Sequence, residues 1–195
     1  MNYYQLRINE ENKVWKKYFT FNQYFYYKKE EVKFHLIHNL ENVVNNLKIQ
    51  ALNSQGIVLD QNEFTKSTAP NFNRTQSIML IKDSIFKKEL FEDIKGLEFI
   101  TIQIEGKFQN NYKLMNFTNV IDCVDHVNSI RKQFTFFSKL ILLKSKIPKE
   151  IDGFFLSGWD LYGEFEIIVN DKLRNQLLKL EKVKDFLIFD EIQVI

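Results

Sequence analysis

SIMLIKDSIFKKELFEDIKGLEFITIQI, residues 77–104, is echoed by FEIIVNDKLRNQLLKLEKVKDFLIFDEIQVI, residues 165–195. In each stretch a short apolar run of strand character ends at an aspartate, Asp83 or Asp171, of a type that caps helices. Ile85 and Leu173 follow two residues later, and Leu90 and Leu178 continue the buried stripe. Each of these three pairs lies 88 residues apart (171 − 83 = 88). A basic residue, Lys95 or Lys184, then precedes a second apolar run, Leu97 to Ile104 or Phe186 to Ile195, which reads as another strand. Strand, helix, strand is therefore written twice. The unit is common in α+β domains and the match is loose, so a duplicated architecture is an expectation drawn from spacing alone.

Between the two copies, β-branched and aromatic residues dominate, and Gly or Pro marks the bends. Tyr112 to Asp125, Phe134 to Leu143 and Gly153 to Leu156 read as strands, and Gly158 and Gly163 bound a turn carrying Trp159, Asp160 and Tyr162. Ahead of them, Tyr3 to Ile8 alternates as a strand with Tyr4, Leu6 and Ile8 on one side, and Asn9 to Asn12 form a polar turn. Val32, Phe34 and Leu36 predict a further strand; Leu40, Val43, Val44 and Leu47 predict a short helix. From Asn53 to Gln76 the composition turns polar, with Gly56, Pro70 and Asn73 as breakers, and reads as a long loop. The expected fold is α+β: a mixed, largely antiparallel sheet with a few packed helices. We expect a single domain, with residues 1–69 as an N-terminal elaboration of a core spanning 70–195.

With 195 residues, 45% of them hydrophobic, the chain can bury one substantial core, roughly 70% of its unfolded surface. Twenty-seven basic and 25 acidic residues leave a net charge of +2, which gives no general field for holding a nucleic-acid backbone. Lys16-Lys17 and Lys28-Lys29 lie among aromatics, as in a single-strand stacking platform, but Glu30 and Glu31 follow at once. Core aromatics under lysine stems are the plainer account. The single cysteine, Cys123, cannot form an intramolecular disulfide and is read as a packed apolar residue. The opening MNYYQLRINEENK lacks the plan of a signal peptide, and no apolar run reaches the ~18 to 20 residues of a membrane span. A cytoplasmic protein is expected, with no membrane or nucleic-acid partner.

Few residues suggest chemistry. His35 and His38 share a helix face only if that segment is helical, and no third metal ligand lies near. Asp122, Asp125 and His126 form the densest polar cluster. Such a run could hold a divalent cation or supply an acid and a base; polar residues that end a strand and satisfy a turn are the commoner account. Gly153, Gly158 and Gly163 lack the Lys-Ser or Lys-Thr of a phosphate loop. No catalytic residue, metal site or cofactor is assigned.

Tyr112-Lys-Leu-Met-Asn116, Val120-Ile-Asp122-Cys-Val-Asp125, Ser129, Ile168-Val-Asn-Asp171-Lys-Leu173 and the terminal Phe189 to Ile195 run together resemble a known family. The chain is similar to immunity proteins of bacterial polymorphic toxin systems, a group with a Tyr-Leu-Leu-Asn-Val and Val-Asp-x-x-Asp core. The resemblance covers roughly residues 70 to 195 and the Tyr3-Tyr4 strand. Where that family has Ser before its helices this chain has Asp83 and Asp171, which cap equally well. The resemblance implies a cytosolic protein that protects its producer by binding a cognate toxin without turnover.

For such a role the Trp159, Asp160, Tyr162 and Glu164 turn is the candidate partner-binding site, since Trp and Tyr anchor protein interfaces. A Trp packed inward against the sheet is the competing account. The rival functions are a small enzyme or metal-dependent protein using Asp122, Asp125 and His126, and an interaction protein unrelated to toxins.

Overall fold

The computed structural model describes residues 1–9, 11, 20–21, 26–27, 30–31, 51–52, 72–75, 78–103, 111–132, 136–157 and 166–195. Strands are β1 (Tyr3–Ile8), β2 (Thr20–Phe21), β3 (Tyr26–Tyr27), β4 (Glu30–Glu31), β5 (Ala51–Leu52), β6 (Phe72–Thr75), β7 (Ile78–Lys82), β8 (Leu97–Gln103) and β9 (Asn111–Phe117). They continue as β10 (Val120–Ile121), β11 (Ile130–Lys132), β12 (Phe136–Lys139), β13 (Ile141–Leu142), β14 (Gly153–Leu156), β15 (Glu166–Asn170) and β16 (Leu187–Val194). The described α-helices are α1 (Asp171–Leu177) and α2 (Val183–Phe186). Strands dominate, and the sheets are mixed and largely antiparallel.

Two sheets make the core. One runs β6-β7-β9-β8 and is antiparallel throughout. The other runs β10-β14-β15-β1-β16-β13; its four middle strands are antiparallel, and β10 and β13 join the two edges in parallel. Alternation along β1 explains the packing. Tyr4, Leu6 and Ile8 point into one apolar core with Ile167 and Val169 of β15, Met79 and Ile81 of β7, and Met115 and Phe117 of β9. Helical residues Leu173, Leu177, Val183 and Phe186 close that core. Tyr3, on the opposite face of β1, joins Phe154, Ile168 and Ile192 under a cover of Cys123, Val124, Leu142 and Ile147. Residues on either side of β11 and β12, Cys123 and Val124 before them and Leu142 and Ile147 after, thus cover the outer face of the six-stranded sheet, which β10 and β13 border on its two edges.

Several expectations change. Residues 3–8 are an inner strand of the larger sheet, so they belong to the core and not to an N-terminal elaboration. Phe72–Thr75, read as the end of a loop, is a strand, because its backbone completes the edge of β7. The helix expected after Asp83 is two 3-10 turns, Asp83–Ile85 and Lys88–Leu90, separated by extended Phe86 and Lys87. That break lets the rings of Phe86 and Phe91 both reach Phe99, at 4.6 and 4.8 Å between centroids. Neither aspartate is a cap: Asn170 caps α1 by accepting from the Leu173 N–H at 3.0 Å, and Lys82 precedes Asp83 without a side-chain cap. The strand expected over 112–125 is shorter and interrupted at Thr118-Asn119; of that expected over 134–143, residues 134 and 135 fall outside the described residues and the rest is interrupted at Leu140. Gly153–Leu156 is a strand, as expected. The strand and helix expected over residues 32–47 fall outside the described residues.

Candidate functional site

The partner-binding turn expected at Trp159, Asp160, Tyr162 and Glu164 lies outside the described residues, as do His35 and His38. The Asp122, Asp125 and His126 cluster is described in full. Asp125 is buried, and its carboxylate organises the turn that follows: Oδ1 accepts from the backbone N–H groups of Val127 (3.0 Å) and Asn128 (3.2 Å), and Oδ2 accepts from Asn128 Nδ2 (2.6 Å). These bonds, the Asn128 side chain foremost, hold its pKa below the usual carboxylate range. The Ser129 hydroxyl ties the same turn to the backbone of Ile141, both as donor and as acceptor. Asp122 and His126 pair at 3.7 Å on the surface. Among the described residues no group of three or more His, Cys, Asp or Glu is placed to hold a metal ion. Cys123 is fully buried and burial pushes its thiol pKa up to about 12, so it stays protonated and packed.

A second polar centre was not apparent in the sequence. Asp152 accepts from the Lys95 N–H at 2.9 Å, from Asn170 Nδ2 at 2.8 Å and from Lys172 Nζ at 3.2 Å. Lys172 also donates to the Asp93 carbonyl. Burial, the largest single influence, would raise the pKa of Asp152, but these donors together outweigh it and hold the group below the usual range. The cluster ties the loop before β8 to the start of α1, so it acts as a fastener between the two sheets. Asp171, the neighbour of Asn170, makes a similar tie by accepting from the Asn2 N–H at 2.7 Å and the Tyr4 hydroxyl at 3.0 Å.

The feature suited to recognition is an open cleft of about 250 Å³ beside the four-stranded sheet, lined by Phe86, Lys88, Phe91, Glu92, Phe99 and Lys113. Its floor is the three-ring cluster: Phe86 and Phe91 stack at 5.7 Å, and both tilt against Phe99. Lys113 Nζ stands 5.7 Å from the centre of the Phe86 ring, donates to Thr101 Oγ1 at 2.7 Å and pairs with Asp83 at 3.1 Å. Phe86 and Phe99 are only partly buried. The cluster is hard to foresee from sequence because its rings come from a broken helix and a strand. The one local signal is Phe86 itself, an aromatic 88 residues before Arg174 (174 − 86 = 88) in an otherwise similar stretch.

Among the described residues no helix is long and apolar enough to cross a membrane. No family model matches this sequence, and no curated protein matches it.

Proposed function

We propose that this protein binds a protein toxin and neutralises it stoichiometrically, in the cytosol of the cell that makes it. The observation that carries the reading is the aromatic cleft. Interface energy concentrates where a side chain of one partner fills a desolvated pocket of the other. A cleft of about 250 Å³ falls below the roughly 300 to 1,000 Å³ of small-molecule sites, and its scale suits one inserted side chain. Its three rings call for an aromatic or large apolar residue, while Lys88 and Glu92 supply polar groups at the lining. The occupant we commit to is an aromatic side chain of the toxin. The motifs at 112–125 and 168–173 support the same reading through their resemblance to toxin-immunity proteins.

The test is capture of the tagged protein's partners after a high-salt wash, followed by expression of each captured protein alone and together with this one. The reading requires one roughly equimolar partner that arrests growth when expressed alone and is harmless when co-expressed. A preparation that yields no toxic partner but carries a stoichiometric metal or small molecule would overturn it.

A further inference from the structure

The two sheets repeat one another beyond the level of architecture. β6-β7-β9-β8 and β14-β15-β1-β16 have the same order, and every pairing within both is antiparallel. The registers align as well. Lys82 faces Tyr112 and Asn170 faces Tyr3; Met79 faces Met115 and Ile167 faces Leu6. Phe99 faces Met115 and Phe189 faces Leu6, while Leu97 faces Phe117 and Leu187 faces Ile8. The ladders also end alike. Thr118 N–H donates to the Gly96 carbonyl (3.1 Å), and Asn9 N–H, in the equivalent place, donates to the Phe186 carbonyl (2.7 Å). Asn2-Tyr3 and Asn111-Tyr112 open the two equivalent strands with the same dipeptide.

The side chains at the helical turns repeat in a less expected way. Asp83 pairs with Lys113 on β9, and Asp171 accepts from Tyr4 at the matching position of β1. Phe86 carries the Lys113 ammonium above its ring. At the matching positions the two chemistries are exchanged, because Arg174 lies 4.6 Å from the centre of the Tyr4 ring and 5.7 Å from that of Phe189. A cation against an aromatic ring is kept while the residues that supply cation and ring change places.

We propose that the chain contains two copies of one four-stranded module, residues 72–117 and residues 153–194 with 3–8. In the second copy the fourth strand precedes the module in sequence instead of following it. β1 is thus the counterpart of β9, and its insertion between β15 and β16 completes the second module. Shared packing alone would not match register, ladder ends and the Asp83 and Asp171 contacts at once.

Two experiments test this. In the first, Phe86→Arg is combined with Lys113→Tyr, giving the first module the pair found in the second while Asp83 remains to accept the hydroxyl. Each single substitution should lower Tm by about 4 °C, and the double variant should recover more than half of that loss. Additive losses would overturn the equivalence. In the second, a permuted chain runs from residue 12 to 195 and continues through a short linker into residues 1–11, so that β1 follows β16 as β9 follows β8. Cooperative unfolding with Tm within about 5 °C of the parent is expected. A permuted chain that does not fold would overturn the assignment of β1 as the displaced fourth strand.

Discussion

Asp152 and Asn170 are joined twice: Asn170 Nδ2 donates to Asp152 Oδ1 at 2.8 Å, and the Asn170 N–H donates to the Asp152 carbonyl at 2.9 Å. Both residues are buried, and Asn170 is also the cap of α1. One side-chain pair therefore fixes the helix start, the entry to β14 and, through Lys95 and Lys172, the loop that leads into β8.

Asn170→Ala removes the helix cap and leaves Asp152 short of a donor. We expect a loss of about 2 to 3 kcal/mol in urea unfolding, combining a cap with a buried unsatisfied acceptor. Asp171→Ala breaks contacts to Asn2 and Tyr4 at a more accessible position and should cost less. Equal effects of the two substitutions would contradict the central role of the Asp152–Asn170 pair.

Acid should destabilise the protein in a defined window. Asp125, Asp152 and Asp171 all have folded-state pKa values below the ordinary one of 3.8. A carboxylate depressed on folding contributes stability that is present above its unfolded pKa and is lost as pH falls through its folded pKa. Stability should hold steady from neutral pH to about 5 and fall steeply below about 4. Thermal melts across pH 2.5 to 7 read this directly, and Asp152→Asn should flatten the acid limb.

Gly153 has no room for a side chain. A Cβ there would sit 2.5 Å from the Phe117 ring and 2.9 Å from Leu173, both in the core. Gly153→Ala should cost about 1 to 3 kcal/mol by overpacking, measured by chemical denaturation. Gly96 adopts φ +80°, where a side chain is strained by the backbone itself, so Gly96→Asn should be tolerated better than Gly96→Val.

Cys123 should report unfolding. Its thiol is buried and its pKa lies near 12, so a thiol reagent at pH 8 should label the native protein only through opening, at a rate that rises with urea. Rapid labelling of the whole population without denaturant would place Cys123 outside the core.

Phe86→Ala should separate recognition from folding. Under the proposed toxin-binding role, removing a ring that is partly exposed in the free protein should weaken binding of the partner by about 30-fold or more, as loss of an interface anchor does, with Tm changed by only a few degrees. Calorimetric titration with the captured partner measures it, and unchanged affinity would remove the aromatic cleft from the proposed interface.

Much of the local structure was legible from periodicity. Alternation placed Tyr4, Leu6 and Ile8 on one face of a strand. The apolar runs Leu97 to Ile104 and Phe186 to Ile195 read as strands, and the strands Leu97–Gln103 and Leu187–Val194 lie within them. The helix over 171–177 was legible from Leu173, but the stripe expected to continue at Leu178 runs through Leu177, with Leu178 only partly buried, and its cap fell on Asn170 and not on Asp171. The aromatic cleft was not legible, since Phe86, Phe91 and Phe99 look individually like core residues and only the break at Phe86 turns them into one surface. Asp125 illustrates the same limit: an Asp-x-x-Asp-His run allows a metal site although a turn is its commoner use, and the three donors that make the turn are seen only in the fold.

The sequence by itself determined that this chain has an apolar core of largely antiparallel strands, that Cys123 has no partner for an intramolecular disulfide, and that two stretches 88 residues apart share one pattern. Those properties follow from composition and from the period-two alternation that a strand imposes on its own residues. Tertiary structure alone decided that β1 lies between β15 and β16, that Asp152 fastens the two sheets, and that an aromatic face stays open. Each depends on pairing between residues far apart in the chain. Local side-chain pattern states which face of a strand is buried, and it carries no information about which distant strand will cover it.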